Sequence, residues 1–169
     1  MVMVKIIIYS FIFITTSLIG LLKSKKYIYR VDELKEFKGA LNIFKNKLKF
    51  TYETIPEIFI EIANTINSNT TIVFKIAAKR MKIESAEEAW ENAINISVLM
   101  ITKEDRELLK NFGNLLGKTD IEGQLNQVEL TTNFLDEQIK LAEKEKIKNE
   151  KLYRTLGMTI GLGIVIVLI

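Results

Sequence analysis

Polar and apolar positions divide the chain into three parts. From Ile6 to Leu22 runs an uncharged stretch, IIIYSFIFITTSLIGLL, and from Thr155 to Ile169 a second, TLGMTIGLGIVIVLI. Between them the pattern is helical throughout. Leu34, Phe37, Leu41, Phe44 and Leu48 recur at spacings of 3 and 4, which predicts a heptad-type helix ending before Pro56. Ile58, Ile62 and Ile66 predict a second, short helix. Asn67-Ser68-Asn69 predicts a turn, and Ile72, Ile76 and Lys79 a third helix, widened by Val73 and Ala77. Ser85-Ala86-Glu87-Glu88 has the spacing of a capping box, in which serine and glutamate satisfy free amides at a helix start. It opens a fourth helix through Trp90 to about Met100. Thr102 to Asp105 opens a fifth with a weaker cap, and Gly117 supplies its stop. Ile121, Leu125, Val128, Thr132, Leu135, Ile139 and Ala142 then follow a heptad with one polar slot, in a helix of about 35 residues running into the second apolar end.

The expected fold class is therefore all-α: an antiparallel six-helix bundle flanked by N- and C-terminal transmembrane helices. Residues 1–23 are read as an anchor, 24–154 as a cytoplasmic bundle and 155–169 as a second membrane segment. An even number of upright passes returns the chain to the face it left. The first apolar stretch lacks a basic leader beyond Lys5, and Thr16-Ser17-Leu18 is a poor cleavage site, so it reads as an uncleaved anchor extended by Met1 to Val4. Lys23, Lys25, Lys26 and Arg30 follow it at once, and Lys151 and Arg154 precede the other. Both flanks thus hold the middle in the cytoplasm. The C-terminal stretch covers only about 22 Å as a helix; Leu152 and Tyr153 can lengthen it, and a re-entrant or interfacial segment is the alternative. Gly157 and Gly161 form a G-x-x-x-G pair suited to close helix packing.

Composition narrows the chemistry. The chain contains neither cysteine nor histidine, which excludes disulfides, thiol nucleophiles and the usual zinc and haem ligand sets. The net charge of +3 is small, where a nucleic-acid binder of this size more often shows a large basic excess on one face, so no nucleic-acid partner is expected. Gly113-Asn114-Leu115-Leu116-Gly117-Lys118-Thr119 ends like a phosphate-binding loop. It has three residues between the glycines where four are required, and a helix precedes it where a strand should. Glu87-Glu88 and Glu104-Asp105 sit in first helical turns, where capping explains them better than a metal does. No catalytic, cofactor or metal site is expected. Trp90 belongs by default in the core, with an interface as its alternative. Asp120 or Thr119 is placed to cap the last helix. Lys118 and Gln124, beside that turn, are candidates for a solvent-facing partner surface.

Several stretches resemble the stage III sporulation protein AB family of endospore-forming bacteria. Ser85 to Glu91 is similar to its S-x-x-x-A-W element, and Phe112 to Gln124 to its G-x-x-L-G-x-x-D-x-x-x-Q signature. Lys148 to Gly157 resembles its charged segment entering the last span, and Thr54-Ile55-Pro56-Glu57 with Phe59 its T-P-L-P-E-A-F element. Lys47 stands where that family usually has a glutamate, and Thr54 where it has the first proline of a pair. The resemblance implies a likeness to the F-type platform protein of type II secretion. It implies a mother-cell membrane protein that couples a secretion-type ATPase to other membrane proteins of a mother cell–forespore channel, with self-association open. The alternatives are a platform protein of another secretion or pilus system and, in a different class, a membrane-tethered enzyme.

Overall fold

The computed structural model describes residues 2–51, 53–65 and 68–168. The face position predicted for Ile66, the turn residue Asn67 and the outermost residues of the apolar ends, Met1 and Ile169, lie outside the described residues, as does Tyr52. The elements are α1 (Val2–Phe50), α2 (Ile55–Thr65), α3 (Asn69–Arg80), α4 (Ala86–Ile96), α5 (Lys103–Phe112), a 3-10 turn (Gly113–Leu115) and α6 (Ile121–Leu168). Among the described residues there is no strand. The first and last helices, of 49 and 48 residues, each run uninterrupted from apolar stretch to bundle. Two compact units result. One takes the chain up to Val31 and from Leu141, and the other takes Asp32–Lys140.

Short helices need defined starts, and in the second unit side chains supply them. Ser68 with Thr71, Ser85 with Glu88, and Thr102 with Asp105 form reciprocal capping boxes on α3, α4 and α5. At α2 the Glu57 carboxylate accepts from both the amide and the hydroxyl of Thr54, at 2.7 and 2.8 Å. These bonds hold the Glu57 carboxyl below its usual range. Pro56 then sits in the first turn, where a missing amide hydrogen costs nothing. Helix α4 stops at Ile96, four residues before the predicted end. The Ser97 hydroxyl bonds back to the Ala93 carbonyl at 2.7 Å, and the backbone turns extended.

The core of this unit is aromatic. Phe37 and Phe44 from α1, Phe59 from α2, Phe74 from α3, Trp90 from α4 and Phe112 from α5 form one connected cluster with ring centroids 5.0–6.2 Å apart. All seven of these pairs are tilted or edge-to-face, and edge-to-face is an arrangement ring quadrupoles prefer. Helix α6 completes the core with Val128, Leu135 and Ile139, and Lys38–Asp136 and Lys45–Glu129 ion pairs tie it to α1 at 2.6 and 2.9 Å. Half-exposed pairs of this kind contribute about 0–1 kcal/mol each.

Two predicted faces are rotated. In α3 the buried apolar residues are Val73, Phe74, Ala77 and Ala78, while Ile72 faces out. The large ring of Phe74 takes the core position and turns Ile72 away. In α6 the seam starts at Gln124 and Val128, leaving Ile121 exposed and Leu125 half-buried.

One buried carboxylate carries a titration. Glu33 on α1 accepts the Met100 amide at 2.7 Å and so pins the linker between α4 and α5. Burial raises its pKa to about 7, with repulsion from Glu36 adding to the rise and the Met100 bond and Arg106 opposing it. From about pH 4.5 to 7 the unfolded chain has released this proton while the folded chain still holds it. Stability therefore falls as pH rises through that window and levels off above it.

Replacing Glu33 with glutamine keeps an acceptor for Met100 and removes the charge. The wild type minus Glu33→Gln difference in unfolding free energy should shift against the wild type from pH 4.5 to 7, by at most about 3 kcal/mol. Parallel pH-dependences for the two proteins contradict this account. For packing, Leu41→Ala should cost about 2–5 kcal/mol, because Leu41 is fully buried. Leu125→Ala should cost clearly less. Both are read by thermal unfolding of the full chain in detergent, using the emission of Trp90.

Candidate functional site

The sequence places its candidates in two regions, the joint between α5 and α6 and the glycines of the apolar end. At the joint, Gly113, Leu116, Gly117, Asp120 and Gln124 each have a mechanical reason. The Trp90 indole donates to the Leu109 carbonyl at 2.6 Å, so the only tryptophan locks α4 to the last turn of α5. Gly113 lies directly under that ring. A Cβ there would come within 2.7 Å of Trp90 Cδ1, and the ring, wedged among phenylalanines, has nowhere to go. Leu116 is buried, and Gly117 follows with φ +69°, in the left-handed region that side chains avoid. The stop is therefore two-stage. The 3-10 turn ends α5 at Gly113, and Gly117 reverses the chain.

Asp120 caps α6, its Oδ1 accepting the Gly123 amide at 2.9 Å. The Gln124 amide nitrogen donates to the Thr119 carbonyl at 3.2 Å and closes the turn from the helix side. Gln124 is thereby 8% exposed, with its Oε1 buried and without a hydrogen-bond partner among the described residues. This corrects the expectation that Gln124 faces solvent, since the turn needs its amide inside. Trp90 is fully buried and equally unavailable to a partner. Of the three surface candidates only Lys118 is exposed, and it pairs with Glu87 in the first turn of α4. Ser85, the cap of that turn, accepts the Glu88 amide at 3.3 Å. The acidic residues set aside as caps do that work: Glu88 and Asp105 bond back to the Ser85 and Thr102 amides.

In the other unit, Gly157 and Gly161 of α6 pack against α1. The counterpart of Gly157 is Gly20, a position the sequence pattern did not single out. A Cβ on Gly20 would lie 2.8 Å from Gly157 Cα, and one on Gly157 would lie 2.9 Å from Gly20 Cα. The two backbones thus touch. Gly161 sits against Thr16 and Phe13. Near Gly20 the Tyr27 and Tyr153 rings stack at 5.8 Å, with Lys23 over the Tyr153 ring. On the charged side, Arg30, buried, pairs with Glu145 at 2.6 Å. A lone glycine inside an apolar helix was the available signal for Gly20.

If the joint is a mechanical element, its variants should act on stability. Asp120→Ala should cost about 0.5–2 kcal/mol through the lost cap. Gly113→Ala should cost more and should shift the Trp90 emission, because the added methyl presses on the ring and forces its packing to adjust. An unshifted spectrum with unchanged melting would show that the ring is not seated on Gly113.

Comparison with known proteins supplies the family. The model of the stage III sporulation protein AB family matches residues 5–169. Stage III sporulation protein AB of Bacillus subtilis (strain 168) is 25% identical over 170 residues, covering 98% of this chain and 99% of that protein. A solved structure of a stage III sporulation protein AB matches with a TM-score of 0.67 at 21% identity, covering 71% of this chain and 98% of that one, a likeness of fold. With the signature from Gly113 to Gln124 accounted for residue by residue and nearly the whole chain matched, this protein belongs to the stage III sporulation protein AB family.

Proposed function

We propose that this protein is a non-catalytic platform in the mother-cell membrane of a sporulating bacterium. Its helical unit faces the cytoplasm and couples a secretion-type ATPase to the other membrane proteins of a mother cell–forespore channel. The observation that carries the reading is the placement of charge around two helices long and apolar enough to cross a membrane. Lys23, Lys25 and Lys26 follow the first apolar stretch, and Lys148, Lys151 and Arg154 precede the second, with Glu150 the one acid among them. Cations on the inner flank of both spans favour a cytoplasmic middle. The coupling role is supported by the family's resemblance to F-type platform proteins.

The exposed end of the α5–α6 joint is the surface we assign to the ATPase, with Lys118 at its centre. The chain has no native cysteine, so topology is read cleanly with Lys82→Cys and Asn114→Cys. Both should resist a membrane-impermeant thiol reagent in intact cells and react after lysis. Labelling in intact cells overturns the cytoplasmic assignment. Lys118→Glu should leave the melting temperature nearly unchanged, because an exposed ion pair adds little. It should reduce both spore yield and recovery of the ATPase after crosslinking in sporulating cells. Normal spore yield and recovery with this variant move the ATPase surface elsewhere.

A further inference from the structure

The close Gly20–Gly157 approach has a consequence on one side of the apolar hairpin. Where two glycines meet, the helices have no side chains to fill the valley between them. A groove of about 390 Å³ runs there, walled by Ile19, Leu156 and Ile160 and floored by the two glycines, with Thr16 at its inner end. Its length from Thr16 to Lys23 is about 10 Å along α1. It is open along its side. The other end is not apolar. Lys23 and Tyr153 close it, and a second depression lined by Lys23, Lys26, Tyr27 and Tyr153 continues from it. Lys23 and Lys26 are exposed and form no salt bridge with any carboxylate among the described residues. An apolar trough thus leads into a small cationic, tyrosine-rich basin.

We infer that this groove and basin form a binding site for one anionic diacyl phospholipid of the surrounding bilayer, its acyl chain on Gly20 and Gly157 and its phosphate at Lys23 and Lys26. The site rests on the reading that these helices span a membrane. The occupant follows from the charge and depth of the site. A lipid matches a trough that is apolar below and cationic above, because its own chemistry changes in the same order. Lysines at the head-group level attract anionic head groups, and basic pockets between membrane helices select them. Tyrosines at that depth lie with their rings in the interface. A second copy of this hairpin, inserted in parallel, would bring its own Lys23 and Lys26 to the same depth, where like charges repel. A zwitterionic lipid fills the trough but gains less from the basin.

The test uses the full chain in mild detergent, delipidated and then titrated with phosphatidylglycerol or phosphatidylcholine, with bound lipid counted by native mass spectrometry. The wild type should retain one phosphatidylglycerol with at least a fivefold preference over phosphatidylcholine. Lys23→Gln with Lys26→Gln should reduce that retention roughly fivefold per lysine. Lys25→Gln with Lys148→Gln removes the same charge outside the basin and should leave the preference intact. Equal retention of both lipids, or equal effects of the two double variants, overturns the site. So does a two-chain species in place of lipid adducts, which assigns the groove to a second copy. Flotation with vesicles of equal phosphatidylcholine and phosphatidylglycerol separates the underlying reading. A chain that floats but fails the titration loses only the lipid site, whereas a chain that does not float loses the membrane assignment as well.

Discussion

The packing of Trp90 is the constraint on which the central unit depends. Its indole touches Phe59, Phe74 and Phe112, and its N–H is satisfied by the Leu109 carbonyl. Those contacts reach α2, α3 and α5 from a single side chain on α4. Phe44 extends the cluster to α1 through Phe59 and Phe112. Four of the helices brought together here have only ten to twelve residues, too short to be stable alone in water. Side-chain caps fix where they begin, but the rings supply the apolar area that keeps them folded. Gly113 belongs to the same constraint, because the ring occupies the space where its side chain would be.

Charge around this core is paired locally. Lys47 reaches Glu61 at 2.6 Å and Glu53 at 3.3 Å. The bond to Glu61 leads the rise in its pKa, so its charge is answered within α2 and the loop before it. Thr54 provides the cap that Glu57 completes. At Met100 the solution is costlier. The linker amide is held by Glu33, a carboxylate whose burial opposes its own ionisation.

Much of this was legible in the sequence because it depends on neighbours along the chain. The α1 seam of Leu34, Phe37, Leu41, Phe44 and Leu48 is buried as its spacing demands, and the Ser85 and Thr102 caps form where the motifs stand. What periodicity misjudged depends on neighbours in space. Ile72 and Phe74 both satisfy a helical repeat in α3, and only the rings of Phe37, Phe59 and Trp90 on other helices decide that the Phe74 ring goes in. Gln124 is polar and sits beside a turn, so exposure is the natural inference. It is inside because the Thr119 carbonyl needs a donor there. Gly20 has no partner within its own helix, so its role was invisible until Gly157 was placed against it.

The two units solve the packing problem with opposite means. In the central unit, water drives apolar side chains together and large rings are an advantage. In a bilayer that drive is absent between helices, since lipid tails are as apolar as the side chains, and association depends on close backbone approach. Large side chains would hold α1 and α6 apart at Gly20 and Gly157, where the backbones touch. The stacked Tyr27 and Tyr153 and the pair between buried Arg30 and exposed Glu145 take over as the chain leaves the apolar stretch, where polar groups can be solvated or paired. Yet removing side chains to bring two helices together also empties the valley beside them. In lipid such a valley is filled by an acyl chain. The choice of glycine at the crossing therefore shapes the lipid-facing surface of the hairpin as directly as it shapes the helix contact.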